Sequence, residues 1–566
     1  AFGLNQSGSQ DVAIGFEALK VNLASYNTAI GYQSLVANTT GAQNTAVGRG
    51  SLDANTTASF NTAVGDMSLG ANTTGASNVA VGQDALRNNT TASYNTAVGK
   101  NALNANTTGD RNTAVGNDAL LVCTTGAANV AVGDRALDAN TGGNQNTAVG
   151  SQSLSANTTG GYNVAIGDAS MVVATTGSYN VAVGYRTLNT QTTASYNVAL
   201  GGNALRLNQT GERNIAIGYN CLDANLSSDN TAIGFEALRY TTTGTQNCAV
   251  GQDCMEDNTT GSYNTAMGYE ALATATTVNN NSAFGYRSLK VNSTGTNNAA
   301  FGFNALVANT TGSKQTALGT QTLETVTTGG ENTAVGYGAL ASITTASNNT
   351  AVGCNALVQS TAADNTAVGH EALKVNTTGN QNTAVGMASL DANTTGNYNV
   401  AVGYNALTTN TTAERNTALG QSALKLNTTG SYNTAVGQGA LNSNTTGAGN
   451  VSVGYNALSS NTTSSKSTAI GFNAAAVSTA TNQTVMGYDA LRNCTTGKEN
   501  TAIGVESLFT CTTGTENAAV GYYSLYALTT GSYNTAMGPN GCLSSLTTAE
   551  QYLTVLDKSE LELYKK

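Results

Sequence analysis

The stretch NTAIGYQSLVANTTGAQ, Asn27 to Gln43, decides the fold. Laid over the rest of the chain, it recurs from Asn44, Asn61, Asn78, Asn95 and Asn112, a step of 17 residues. Followed in both directions, the frame runs from Asp11 to a copy beginning at Asn534. That makes 32 copies, with four shorter steps of 16 ending at Asn27, Asn230, Asn365 and Gln483. A helical repeat needs ~30 or more residues per unit, so 17 is too short for one. A glycine in mid-pattern and β-branched neighbours suit strands better than helix. The chain therefore reads as all-β: a parallel β-solenoid of about 32 coils, each with two short strands and two turns. The coils span residues 11–545, between a truncated coil over 1–10 and a charged cap or stub over 546–566.

What each position of the repeat tolerates gives its environment. Rank five is Gly in every copy (Gly31, Gly48, Gly65, Gly82, Gly99) and never Ala, which marks a structural turn needing positive φ or close backbone approach. Rank fifteen mixes Gly41 and Gly75 with Ala58 and Ala92, so ordinary dihedrals are expected there. Rank four is always large and apolar (Ile30, Val47, Leu200, Met267, Phe284), and rank nine is nearly always Leu or Met (Leu35, Met171). These two ranks are the expected core. Rank two exchanges Thr28 and Thr45 for Val79, Val164 and Ile215, keeping shape but not hydroxyl, and is expected inward beside rank four. Rank twelve is usually Asn (Asn38, Asn55) but accepts Cys123, Val326 and Leu528. Its Asn is expected inward, bonded to turn backbone or to the Asn of the next coil.

Rank three is almost always Ala (Ala29, Ala46, Ala63, Ala80, Ala97), and rank eight is small (Ser34, Ala85, Cys221). If ranks two and four face inward, strand alternation turns these small residues outward. Charged residues never occupy rank three, so its environment is dry, as in a sheet covered on both sides. Another copy of the chain is the simplest cover. The expectation is a homotrimer with the alanines as inter-chain contacts.

Composition narrows the function. The 566 residues include 64 Gly, one Pro, one His and no Trp, and only 10% are charged. The net charge of −10 speaks against a nucleic-acid partner, which needs a basic face. No apolar run approaches the ~18 residues of a membrane span. His370, the single histidine, has no second histidine for a zinc site or triad. Asp53, Asp138, Asp223 and Asp391 recur at rank ten in non-adjacent coils, as solvated corners. No catalytic residue, metal ligand or cofactor site is assigned, and the chain reads as no enzyme. The cysteines are not spaced as a disulfide framework. Cys494 and Cys511 share rank twelve one coil apart and are read as free thiols. The NTT triplets match a glycosylation sequon, but an inward Asn is inaccessible once folded. Aromatic residues gather at the corners, rank six (Tyr32, Tyr185, Tyr269) and rank seventeen (Phe60, Tyr94, Tyr162), as covers for a turn or platforms for a glycan.

The blocks NTAVG and NVAIG (Asn163 to Gly167), followed by AL and NTTG, resemble the head repeats of YadA-like trimeric adhesins and similar repeats of phage tail fibres. The resemblance covers roughly residues 1–545. It implies a left-handed β-roll, three chains intertwined or side by side, and attachment to a surface. The expected function is a non-enzymatic fibre shaft of a viral tail or capsid fibre, at the virion or an extracellular surface. Its partners would be further copies of itself, a baseplate or surface anchor, and a host-surface glycan or protein. A cellular adhesin or extracellular filament is the alternative. An ice-binding solenoid is a third reading; ice faces space Thr by one residue, whereas Thr39-Thr40 and Thr56-Thr57 are adjacent.

Overall fold

In the computed structural model, which describes residues 8–540, 547–548 and the backbone of 553–555, each copy of the repeat forms one coil. Contacts group the chain into two units, 1–281 and 282–566. The first carries strands β1 (Val12–Ile14) to β16 (Thr265–Met267), the second β17 (Ser282–Phe284) to β33 (Leu553–Val555). Within each unit, successive strands pair in parallel and in register: Thr28 opposite Thr45, Ala29 opposite Ala46, Ile30 opposite Val47. The protein is a parallel β-solenoid with a repeat of about 17 residues. Near the end of the second unit, Leu553–Val555 adds a strand beside β32 (Thr535–Met537). Residues 1–7 of the expected truncated coil over 1–10, and most of the expected C-terminal cap over 546–566, lie outside the described residues.

Each coil has one strand, not two. Ranks two to four are extended, and ranks six to eleven form a run of turns. The turns rest on left-handed residues at ranks seven, nine and seventeen, as at Gln33 (φ 56°), Leu35 (φ 53°) and Gln43 (φ 59°). A left-handed leucine costs roughly 1–2 kcal/mol, and full burial of its side chain returns ~1.5–3 kcal/mol. Rank nine can therefore be strained and still be the core. Rank five needs glycine twice over. Gly48 has φ 140°, and a Cβ there would stand 2.2 Å from the carbonyl oxygen of Gly65 in the next coil. Gly41 and Gly75 at rank fifteen avoid positive φ, and Ala58 takes the same place one coil on.

The interior overturns the expected facing of the strand. Ala29, Ala46, Ala63, Ala80 and Ala97 are fully buried within the single chain, so they are not inter-chain contacts. Rank eight is inside as well: Ser34, Ala85 and Cys221 are buried. Ranks two and four share a face, but it is the outer one, and Val79, Val81, Leu200 and Ile215 are exposed. The reason is volume. Seventeen residues enclose little room, and in most coils one leucine, as Leu35, Leu52 or Leu69, takes the largest share of it. Ala at rank three lets the strand close onto that leucine, and the valine found there, Val485, lies next to the coil whose rank nine is Ala475 instead of leucine.

Two ladders of buried asparagine complete the filling. At rank twelve, Asn55 Nδ2 donates to Asn38 Oδ1 (2.8 Å) and to Ala58 O (3.1 Å), a bond to each of the two expected kinds of partner. Rank one forms a second ladder. The Asn44 backbone N–H donates to Asn27 Oδ1 (3.0 Å), and Asn44 Nδ2 donates to Ala58 O (2.9 Å). Thr39 Oγ1 donates to Thr56 O (2.9 Å) on the turn outside them. These amides satisfy the carbonyls that a tight, sheet-poor coil would otherwise leave bare.

Candidate interaction surface

Ranks two and four of every strand form the most uniform surface of each unit. Thr, Val or Ile fills most of rank two, with Ser, Ala or Cys in the rest, and rank four holds only Val, Ile, Leu, Met or Phe. Neither contains a charge in any copy. Exposure along rank four reaches 59% at Ile14 in the first coil and 49% at Leu318 and Met486 farther on. Because the strands stack in register, like side chains line up. The rings of Phe284 and Phe301 stack at 4.7 Å and 5°. The result is an uncharged strip, apolar along rank four and largely threonine along rank two.

The charges sit at the corners and pair along the stack. Arg49 Nε donates to Asp66 Oδ1 (2.8 Å), Arg213 Nε to Asp229 Oδ1 (2.6 Å), and Lys314 Nζ to Glu331 Oε1 (2.7 Å). Hydrogen bonding to Arg49 holds the Asp66 carboxyl below its ordinary range, and Arg213 does the same for Asp229. Burial pushes Asp53, Asp138 and Asp391 the other way. Rank ten thus lies partly under the turn. His370 Nδ1 stands 3.8 Å from Glu371 Oε2, whose Oε1 accepts from Lys374 Nζ (2.6 Å).

Glu236, Asp253 and Glu256 bring three carboxylates within 4.8 Å of one another, a grouping not singled out from the sequence. Arg239 lies among them, with Nη1 2.9 Å from Glu236 and 3.9 Å from Glu256. Burial and the neighbouring Asp253, Asp257 and Glu236 raise the Glu256 carboxyl. The guanidinium supplies the positive charge that a cation would bring.

Cys494 and Cys511 are free, buried thiols. Burial pushes the Cys221 and Cys254 thiols up to about 12 and Cys123 to about 11, so these are packing residues, not nucleophiles. Cys248, on the outer strand face, and Cys354, at a rank-six corner, are part-exposed.

The corner aromatics mostly cover one another. Tyr32 stacks on Phe16 (5.3 Å), and Arg186 lies over the Tyr185 ring (5.0 Å). Tyr455, Phe472 and Tyr488 stack in sequence, and Arg415 sits between Tyr398 and Tyr432. Tyr32, Tyr94, Tyr185 and Tyr269 are all exposed or near it, but they lie on separate coils and form no common platform. Among the described residues no helix is long and apolar enough to cross a membrane. No protein-family model matches the chain. A search of curated proteins likewise finds no match.

The rank-one ladder and the outer facing of ranks two and four were missed in the sequence. A signal for each was present: rank one is Asn in nearly every copy, and rank three is Ala in nearly every copy, with Ser452 and Val485 as exceptions.

Proposed function

We propose that the chain is a non-enzymatic structural fibre: a left-handed roll that associates as a homotrimer through the outer faces of its strands. The observation that carries this reading is the uncharged strip of ranks two and four, with its outward apolar row at rank four. Rank four is exposed or part-exposed in every described coil, so the strip runs unbroken along each unit, as an interface between copies requires. Soluble monomers rarely leave so large a contiguous apolar patch open. The alanines once expected at the interface are replaced in that role by Val47, Val64, Val81 and their equivalents.

Such a bundle suits the shaft of a viral tail or capsid fibre, anchored at one end and carrying a host-attachment tip at the other, in keeping with the resemblance of its repeats. The outward Thr of rank two (Thr28, Thr45, Thr62) bears on the ice-binding reading, since it stands one residue from rank four. Ice matching needs a regular hydroxyl lattice, whereas Val79, Val130 and the run Val164, Val181, Val198, Ile215 interrupt this one. Absence of thermal hysteresis is expected.

Light scattering on the native chain tests the proposal. The expected mass is three times the 57.0 kDa of one chain, collapsing to one in denaturant. The double substitution Val98→Asp with Val115→Asp should shift the assembly toward single chains while leaving the β-sheet circular dichroism intact. A native mass of one chain would overturn the proposal.

A further inference from the structure

The rank-seventeen corner of the first unit contains both a filled and an unfilled aromatic column. In the filled one, Tyr162, Tyr179 and Tyr196 occupy successive coils, with centroids 4.8 and 5.3 Å apart and planes within 3°. In the other, Phe60 and Tyr94 stand two coils apart with Ser77 between them. The backbone at the middle position is alike in both, φ 59° at Ser77 and 61° at Tyr179. Two coil steps give roughly 10 Å between the flanking rings, the span that Tyr162 and Tyr196 bridge with one ring between them. Phe60 and Tyr94 take part in no ring stack and are 60% and 63% exposed, among the barest large apolar side chains.

A gap of this kind can also close on itself. In rank six, Gly202 lies between Tyr185 and Tyr219, and the Tyr219 ring leans in until its Cδ2 is 3.2 Å from where a Gly202 Cβ would be. Tyr219 then meets Phe235 more loosely, at 5.8 Å and 19°. At Ser77 no ring takes the middle place, and both flanking rings are left highly exposed.

We propose that the space over Ser77 is a binding slot for one planar aromatic ring, held face to face between Phe60 and Tyr94. Tyr179 is the protein's own example of the occupant: a phenol ring stacked on both faces and still half exposed. The occupant is thus a free, uncharged phenol-type ring, taking the place that Tyr179 takes in its own column. The slot lies at a corner, away from the strand face, so it stands or falls independently of how copies associate.

The test is a titration of the full-length protein with p-cresol, followed by the upfield ring-current shift of the probe's aromatic protons. Saturable binding is expected. Ser77→Tyr, which supplies the missing ring, should weaken it about tenfold or more, and Phe60→Ala should weaken it too. Ser77→Tyr should also strengthen the near-ultraviolet tyrosine dichroism as a second stacked column forms. Binding of p-cresol that is indifferent to Ser77→Tyr would overturn the proposal, as would no binding at all. So would saturable binding of methyl β-glucoside in place of p-cresol.

Discussion

Ala97 and Val98 are neighbours on one strand and meet opposite worlds. Ala97 is fully buried against its own coil, whereas Val98 is 36% exposed on the outside. In most sheets the larger of two such residues would face the core. Here the core is the interior of a 17-residue loop, already filled by Leu103 and the asparagine ladders, so the smaller residue goes in. The bulkier residues are left to make a surface. A solenoid this thin cannot bury all its apolar side chains alone, and that is why its outer face suits other copies.

The sharpest way to break this comparison is to exchange the sizes. Ala97→Leu should destabilise the coil by about 2–3 kcal/mol or more through overpacking, and Val98→Ala by under ~0.5 kcal/mol within a single chain. Chemical denaturation of the two variants under dissociating conditions measures both. Comparable losses would mean that the inside is not the crowded side.

The inner face can also be probed through its ladders. Asn72 Nδ2 donates to Asn55 Oδ1 (3.0 Å) and to Gly75 O (2.9 Å), so Asn72→Ala should cost ~1–3 kcal/mol by stranding buried acceptors. The chain carries that lesion naturally. Ala174 follows Asn157 in rank twelve, and Asn157 Oδ1 has no hydrogen-bond partner. Ala174→Asn should restore the rung and stabilise by about 1 kcal/mol, read as a rise in the melting midpoint.

The smallest effect concerns pH at the corners. Burial raises the Asp391 carboxyl, Glu371 adds to this, and Asp391 Oδ1 is buried without a partner. A raised native value means the folded chain holds its proton to higher pH than the unfolded one. Stability should therefore fall as pH rises through the window just above the ordinary carboxylate range. Asp391→Asn should raise the melting midpoint at neutral pH and flatten that part of the pH profile. Asp66, held low by Arg49, acts with the opposite sign and loses its contribution as pH falls.

The period, the solenoid class, the Leu of rank nine, the Gly of rank five and the inward Asn of rank twelve were all legible in the sequence, because each is fixed by what a coil can tolerate. Alternation showed that ranks two and four oppose rank three. It could not tell which side was inside, because a three-residue strand has the same pattern either way round. Size decides it: a rank held to Ala, as at Ala29 and Ala46, is crowded, while one that takes Val47, Met267 and Phe284 has room. The second strand was lost to left-handed residues such as Leu35, a conformation that leucine's propensities do not announce. The rung at Ser77 could be placed from the sequence, since Phe60, Ser77 and Tyr94 fall 17 residues apart, but that rings stack face to face along this corner is seen only in the structure, as at Tyr162, Tyr179 and Tyr196.

The chain carries its own probe of the outer face. Cys248 lies on it at rank two, Cys354 lies at a rank-six corner, and both are part-exposed in the single chain. Alkylation of the native protein, followed by mass spectrometry of the two cysteine peptides, reports directly on what covers that face. If copies associate through ranks two and four, Cys354 should react and Cys248 should be protected until the assembly is dissociated. Equal labelling of Cys248 and Cys354 in the native protein would contradict the account.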